Sequence, residues 1–345
     1  MAVMLSFLGR VSAGEDLSMD DMAQVVDTIM LGQASDQQVA LLLTALRAKG
    51  ETIEEIAGAA MALRKHMTPI RTKRTKLIDT CGTGGGGSGT FNISTAAALV
   101  AAAAGAAVAK HGNRRITSKS GSADVLAELG VNIDAGVDTV QRCLDELGIG
   151  FCFAPLLHRS MRHVSAVRKS LGFPTIFNLL GPLCNPAGAP FQLLGVGKRE
   201  LRQTLAAALC KLGTQRAAVV CGEDGLGEVT LSGKTCVTEV QDGILSELTW
   251  TPADFGLQPI DSKELLADGP AASARIIRSV LSGSRGPCRD IVLANAAAAL
   301  WVSGLDQSLN RCAGRAAEAI DSRAAERLLA RLVQLSNAII APPSS

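Results

Sequence analysis

The chain has 345 residues, enough at roughly 150 residues per domain for about two domains with a sizeable core. Its 47% hydrophobic and 19% charged residues describe an ordinary soluble globular protein and exclude a disordered or fibrous one. Lys and Arg number 34 against 32 Asp and Glu, a net charge of +2, and aromatic content is 3% with no Tyr, so the composition argues against nucleic acid as a partner.

The first 66 residues carry three helix-start signatures, in which a capping hydroxyl is followed three positions later by an acceptor: Ser18 and Asp21, Ser35 and Gln38, Thr52 and Glu55. Apolar residues at helical spacing follow each, with Gly32 and Gly50 where C-terminal caps belong and Pro69 closing the third helix. Residues 1–70 therefore read as a small all-helical unit. A basic stretch, 71–76, reads as a solvated hinge.

From there, strand-like runs at 77–81, 107–110, 150–154, 193–196, 217–221 and 235–240 alternate with helical patterns at 94–104, 123–129, 137–147, 199–212 and 291–302. Alternation of this kind predicts an α/β domain over 71–345 with a central, largely parallel sheet flanked by helices. Nine cysteines without CxxC spacing fit reduced thiols in a cytoplasmic protein. The apolar start at 1–9 lacks a basic leader and the apolar run 96–109 is too short for a bilayer, so neither a secretory signal nor a membrane partner is expected.

The strongest local signal is the turn after the first strand. Six glycines fall within 82–89, followed by Thr90, Asn92, Ser94 and Thr95 at a helix start. Converging backbone N–H groups and a helix dipole make phosphate the natural ligand, the alternative being a flexible surface loop. A dinucleotide fingerprint is disfavoured because no acidic residue lies between Asp79 and Asp124, and no Gly-Lys-Ser/Thr closes a P-loop. A second polar cluster, from Lys110 to Ser122, supplies Lys, Arg and short hydroxyls, either as a second anion site or as a solvated basic loop. Two anion sites suggest a substrate phosphorylated at two ends.

Taken together, Gly82-Thr83-Gly84-Gly85, Phe91-Asn92-Ile93-Ser94-Thr95-Ala96, Lys110-His111-Gly112-Asn113-Arg114, Ser118-Lys119-Ser120-Gly121-Ser122, Phe177-Asn178-Leu179-Leu180-Gly181-Pro182-Leu183 and Asp290-Ile291-Val292-Leu293-Ala294-Asn295 resemble the anthranilate phosphoribosyltransferases. The resemblance spans about 17–337. It implies the nucleoside phosphorylase/phosphoribosyltransferase architecture and a homodimer formed through the helical unit. It further implies transfer of a phosphoribosyl group from phosphoribosyl pyrophosphate to the amine of anthranilate, in tryptophan biosynthesis, with Mg2+ as cofactor.

Carried over by position, Gly82, Gly85, Gly86, Thr90, Asn92, Ile93, Ser94, Thr95, Lys110, His111, Gly112, Asn113, Arg114, Arg115, Ile116, Thr117, Ser118 and Ser122 would hold phosphoribosyl pyrophosphate. Gly82, Asn113 and Arg168 would meet anthranilate, and Ser94 and Glu228 would meet magnesium. No residue is expected to act as a catalytic acid or base, because positioning and electrostatic stabilisation suit the reaction. His111 and His158 are assigned to substrate loops. Two departures stand out: Gly86 and Gly227 occupy positions where the family usually carries Asp, which implies weaker metal binding, with Glu223 and Asp224 as candidate substitutes. The competing readings are a catalytically altered paralogue that binds nucleic acid or another acceptor, and a pyrimidine nucleoside phosphorylase.

Overall fold

The computed structural model describes residues 2–84, 89–115 and 120–338. Four helices open the chain: α1 (Ala2–Ser12), α2 (Met19–Met30), α3 (Asp36–Lys49) and α4 (Ile53–Lys65). The three expected helix starts are present. Ser18 Oγ accepts from Asp21 N at 3.1 Å, and Ser35/Gln38 and Thr52/Glu55 form reciprocal capping boxes. The sequence reading did not name α1, which lacks a capping signal; it buries Met4, Phe7, Leu8 and Val11 at helical spacing.

The stretch 71–76 is free of regular structure, yet it is not simply solvated. Arg71 N donates to Gln141 Oε1 at 2.8 Å, Lys73 N to Asp145 Oδ1 at 2.9 Å, and the Thr72 hydroxyl to that same carboxylate. The linker is thus tied to the α/β domain.

The α/β body contains β1 (Leu77–Gly82), α5 (Ile93–Ala103), β2 (Ala107–Gly112), α6 (Ser122–Glu128), α7 (Val137–Leu147), β3 (Ile149–Phe153), the one-turn α8 (Ala154–Leu157), α9 (Arg162–Leu171) and the one-turn α10 (Phe177–Leu180). It continues with β4 (Phe191–Gly195), α11 (Leu201–Lys211), β5 (Arg216–Gly222), β6 (Thr235–Gln241), β7 (Ile244–Trp250), α12 (Gly269–Leu281), α13 (Pro287–Val302), α14 (Leu309–Asp321) and α15 (Ala324–Ser336). The sheet order is β3-β2-β1-β4-β5-β6-β7. The first five are parallel, as expected, and β5-β6-β7 run antiparallel. The seventh strand is a difference from the expected six: Asp242 (φ 50) and Gly243 (φ 82) turn β6 into β7, a two-residue hairpin that demands positive φ at both positions.

Two alanine-rich helices, α5 and α13, pack on one face of the sheet in a core that includes Ala96 to Ala101 and Ala296 to Ala299. Small side chains let these helices approach one another and the strands closely. On the other face, the residues of α2–α4 share a core with Val164 and Val167 of α9 and with Phe177 and Leu180. The helical layer is therefore not confined to the first 70 residues: the apolar face of α9 returns to it. No helix among the described residues is long and apolar enough to cross a membrane.

Candidate active site

The carboxyl ends of β1, β2 and β4 and the loop after β5 meet at one edge. Gly82 ends β1 opposite Gly195, whose carbonyl accepts from Thr83 N at 3.0 Å. A Cβ on Gly195 would lie 1.9 Å from the Gly227 carbonyl oxygen, so this crossing of three backbones requires glycine at 195. Gly84 adopts φ +68 as the chain turns away. Gly85 and Gly86, and Ile116, Thr117 and Ser118 in the second cluster, lie outside the described residues.

Beyond the glycine run, Phe91 N donates to Leu265 O at 2.9 Å and Thr90 bridges Leu266, which fixes the entry to α5. Asn92 stands at the N-cap but makes no side-chain cap. Its Oδ1 instead accepts from Ser120 Oγ at 2.8 Å and Ser273 Oγ at 3.0 Å. The two polar clusters are thereby joined. Ser273, fully buried on α12, was not found by sequence reasoning, since nothing local marks it. Lys263 and Ser262 were missed likewise; with Thr90, Asp224, Leu226 and Leu266 they line a cavity of about 170 Å³ beside this entry.

Lys110 reaches in from β2 and is buried, its Nζ donating to Thr80 O and lying 3.5 Å from Ser94 Oγ. Burial lowers its pKa, against the raising influence of Asp79, Cys81 and Glu228. Glu228 faces this ammonium. Desolvation pushes its carboxyl up to about 7, opposed by Lys110 and by the Ser94 N–H and hydroxyl. The next residue is clamped: Val229 N donates to Asn295 Oδ1 and Asn295 Nδ2 to Val229 O, each at 2.9 Å. This bond pair explains why Asn295, in the C-terminal motif, belongs with the site. Ile93 is a core residue and Thr95 is fully buried with an unpartnered hydroxyl.

Glu223 and Asp224 do not join Glu228. Asp224 accepts from Thr230 Oγ1 at 2.7 Å and Leu226 N at 3.0 Å, and Glu223 from Lys234 N at 3.4 Å, so both brace their own loop. No group of three or more metal-ligating His, Cys, Asp or Glu occurs among the described residues. The hydroxyl of Ser94 and the single carboxylate of Glu228 still suit a hard cation that takes most of its ligands from phosphate and water.

Arg115 N and Gly121 N both donate to Asp124 Oδ2, at 2.9 and 3.1 Å, so Asp124 shapes the second cluster from the first turn of α6. Asn113 and Arg114 are exposed there; Asn113 Oδ1 accepts from Arg114 N, its carbonyl lies 3.5 Å from Ser122 Oγ, and a Cβ on Gly112 would overlap that hydroxyl.

A second group assembles on the helical side. His111 belongs to β2 and not to a loop; it is buried, its Nδ1 3.1 Å from Gly181 O and its Nε2 3.2 Å from His158 Nε2. Burial holds His111 down at about 3 and His158 at about 4, so both are neutral at physiological pH. Arg168, half-buried on α9, donates to Asn178 Oδ1 at 3.3 Å and lies over the Phe177 ring. Arg168 and His111 thus both meet the motif segment 177–183, and His158 joins them through His111.

A mostly parallel sheet with two glycine-containing polar loops at its carboxyl edge and a helical layer on one face is the two-part architecture of the glycosyl transferases. The family model described as "Glycosyl transferase family, a/b domain" matches residues 74–326, and "Glycosyl transferase family, helical bundle domain" matches 5–67. The anthranilate phosphoribosyltransferase of Rhodopirellula baltica is 54% identical over 333 residues, covering 96% of this chain and 97% of that protein. The crystal structure of the Thermus thermophilus enzyme of that name superposes with a TM-score of 0.90 at 41% identity, covering 96% of this chain and 99% of the other. The Saccharomyces cerevisiae enzyme, in complex with PRPP and Mg, does so with a TM-score of 0.89 at 32% identity, covering 98% and 99%. The chain belongs to the anthranilate phosphoribosyltransferase family.

Proposed function

We propose that this chain transfers the phosphoribosyl group of 5-phospho-α-D-ribose 1-diphosphate to the amine of anthranilate, giving N-(5-phosphoribosyl)anthranilate and diphosphate, in L-tryptophan biosynthesis. The geometric observation that carries the reading is the joining of two anion-type loops through Asn92, beside Lys110 and Glu228. The near full-length identity to relatives of this name supports it.

By the resemblance, phosphoribosyl pyrophosphate is assigned to Gly82, Gly85, Gly86, Thr90, Asn92, Ser94, Lys110, the segment 112–118 and Ser122, while the buried side chains of Ile93, Thr95 and His111 frame the site from the core. Breaking the anomeric C–O bond leaves positive charge on the ribose and negative charge on diphosphate. Lys110 stabilises the departing anion, and Ser94 Oγ orients it. Glu228 and Ser94 would hold Mg2+, which would supply charge neutralisation for the departing diphosphate. A solved relative holds PRPP and Mg together, which supports this cofactor. Another holds 4-fluoroanthranilate, which supports the acceptor class.

Arg168 offers a planar fork for the anthranilate carboxylate, with Asn113 and Gly82 completing the acceptor site. The aniline nitrogen is already a nucleophile, so positioning is the protein's task. The helical unit serves as the surface of a homodimer: Leu5, Leu31 and Leu41 on or beside its first three helices are more than half exposed, at 57%, 53% and 52%. Nine free cysteines suit a reducing cytoplasm. Mixing the protein with anthranilate and phosphoribosyl pyrophosphate tests the reading: anthranilate fluorescence falls with magnesium and not without it. Unchanged fluorescence in both conditions overturns it.

A further inference from the structure

The antiparallel register of β5 and β6 sets Cys221 directly opposite Cys236. Directly opposed residues of such a pair share one face, with Cα atoms about 4.5 to 5.5 Å apart. A disulfide tolerates roughly 4.4 to 6.8 Å, so the backbone is already placed for one. Both residues are free thiols, Cys221 buried and Cys236 half-buried. Among the described residues no other cysteine has a cysteine as its strand partner.

The two thiols differ in access, and this assigns them different parts. Cys236 is the more exposed of the two. Cys221 is 4% exposed, and burial, Cys236 and Asp224 raise its pKa against the lowering influence of Arg202 and Arg199. The next rung of the ladder, Gly222 opposite Thr235, is the mouth of the 223–234 loop that carries Glu228. Glu223 N donates to Lys234 O at 2.9 Å, and Thr230 N to Thr235 Oγ1 at 3.0 Å, inside that mouth.

We propose that Cys221 and Cys236 form an oxidative modification site, a reversible cross-strand disulfide closed by hydrogen peroxide. The Cys236 thiolate attacks one peroxide oxygen, the O–O bond breaks, and the leaving hydroxide takes up the thiol proton as water. The resulting sulfenic acid is attacked at sulfur by Cys221; the S–O bond breaks and a second water leaves with the Cys221 proton. Two thiols are oxidised by two electrons and one peroxide is reduced to two waters. The new bond pins the mouth of the Glu228 loop.

The test uses the folded full-length chain and needs no substrate, so it stands apart from the transferase reading. Peroxide treatment, followed by digestion and mass spectrometry without reductant, is expected to yield one peptide pair linked through 221 and 236. Two titratable thiols are lost and return with dithiothreitol. Cys236→Ser is expected to abolish the link, and Cys221→Ala to leave a sulfenic acid at 236 that dimedone traps. Unlinked peptides after peroxide, or oxidation of Cys236 onward to sulfinic acid with no link, overturns the site. Amide hydrogen exchange across 223–234 is expected to slow on oxidation; unchanged exchange in the linked protein overturns the pinning of the loop.

Discussion

Ser120 Oγ donates to Asn92 Oδ1 at 2.8 Å, and this bond ties the loop after β2 to the start of the helix after β1. Twenty-eight residues separate them along the chain. Under the proposed function each loop takes one anion, and the bond joins them into one cradle.

Removing the hydroxyl therefore loosens the cradle while the fold stays. A neutral hydrogen bond contributes about 0.5–1.5 kcal/mol. Ser120→Ala is expected to raise KM for phosphoribosyl pyrophosphate roughly two- to tenfold by that measure, with the melting temperature nearly unchanged. Steady-state kinetics with each substrate varied in turn checks this, and an unchanged KM counts against a joined cradle.

The crossing of Gly82, Gly195 and Gly227 gives a sharper contrast. A Cβ on Gly195 meets the Gly227 carbonyl oxygen at 1.9 Å, whereas a Cβ on Gly227 meets nothing closer than 3.2 Å. Backbone cannot rotate away as a side chain can. Gly195→Ala is expected to destabilise by about 1–3 kcal/mol and displace Glu228. Gly227→Ala, whose Cβ would meet the backbone of Val196 and Gly197 at 3.2 Å, is expected to cost less than Gly195→Ala. Thermal melting of both variants decides it, and equal melting temperatures remove the argument.

The missing acid at 227 has a direct experiment. A Cβ at 227 requires the Val196–Gly197 backbone, 3.2 Å away, to shift by a few tenths of an ångström; with that shift Gly227→Asp is expected to fold and to lower the magnesium concentration for half-maximal activity. Glu228→Gln is expected to raise it. Magnesium titrations of the three proteins test the idea that a single carboxylate limits metal affinity; equal apparent affinities for the parent and Gly227→Asp dismiss it.

The two facing imidazoles make stability depend on pH. Burial holds His111 at about 3 and His158 at about 4, below the ordinary value of 6.5. The unfolded chain takes up protons as pH falls through about 6.5, and the folded chain does so only near 4 at His158 and near 3 at His111. Their contribution is therefore full above about 6.5 and is lost toward 4, by about 1.4 kcal/mol per pH unit for each imidazole. Urea unfolding between about pH 5 and 7 is expected to show that slope, and His158→Gln a shallower one. Identical slopes would contradict the pairing.

Much of the fold was legible because its signals are local. Capping boxes join residues three apart, and apolar periodicity repeats within one helix or strand, so α2, α3, α4 and most strands follow from the residues themselves. The Asp242-Gly243 pair carries a local hairpin signal, which the sequence reading did not include. The glycine-rich turn and the Lys110 loop likewise carry, on short segments, the chemistry on which the proposed anion binding rests.

Tertiary structure decided what no short segment carries. Ser273 reaches Asn92 across 181 residues, Asn295 clamps the backbone beside Glu228 across 66, and Arg168 meets Asn178 only because α9 packs back on the helical layer. The amino acids by themselves determined which elements form and which groups can bind an anion, since hydrogen bonds between near neighbours and side-chain periodicity set both. Which groups face one another, which are buried enough to change their protonation, and which cysteines share a rung of the sheet depended on register and packing, because contacts between distant residues exist only once the whole core has closed.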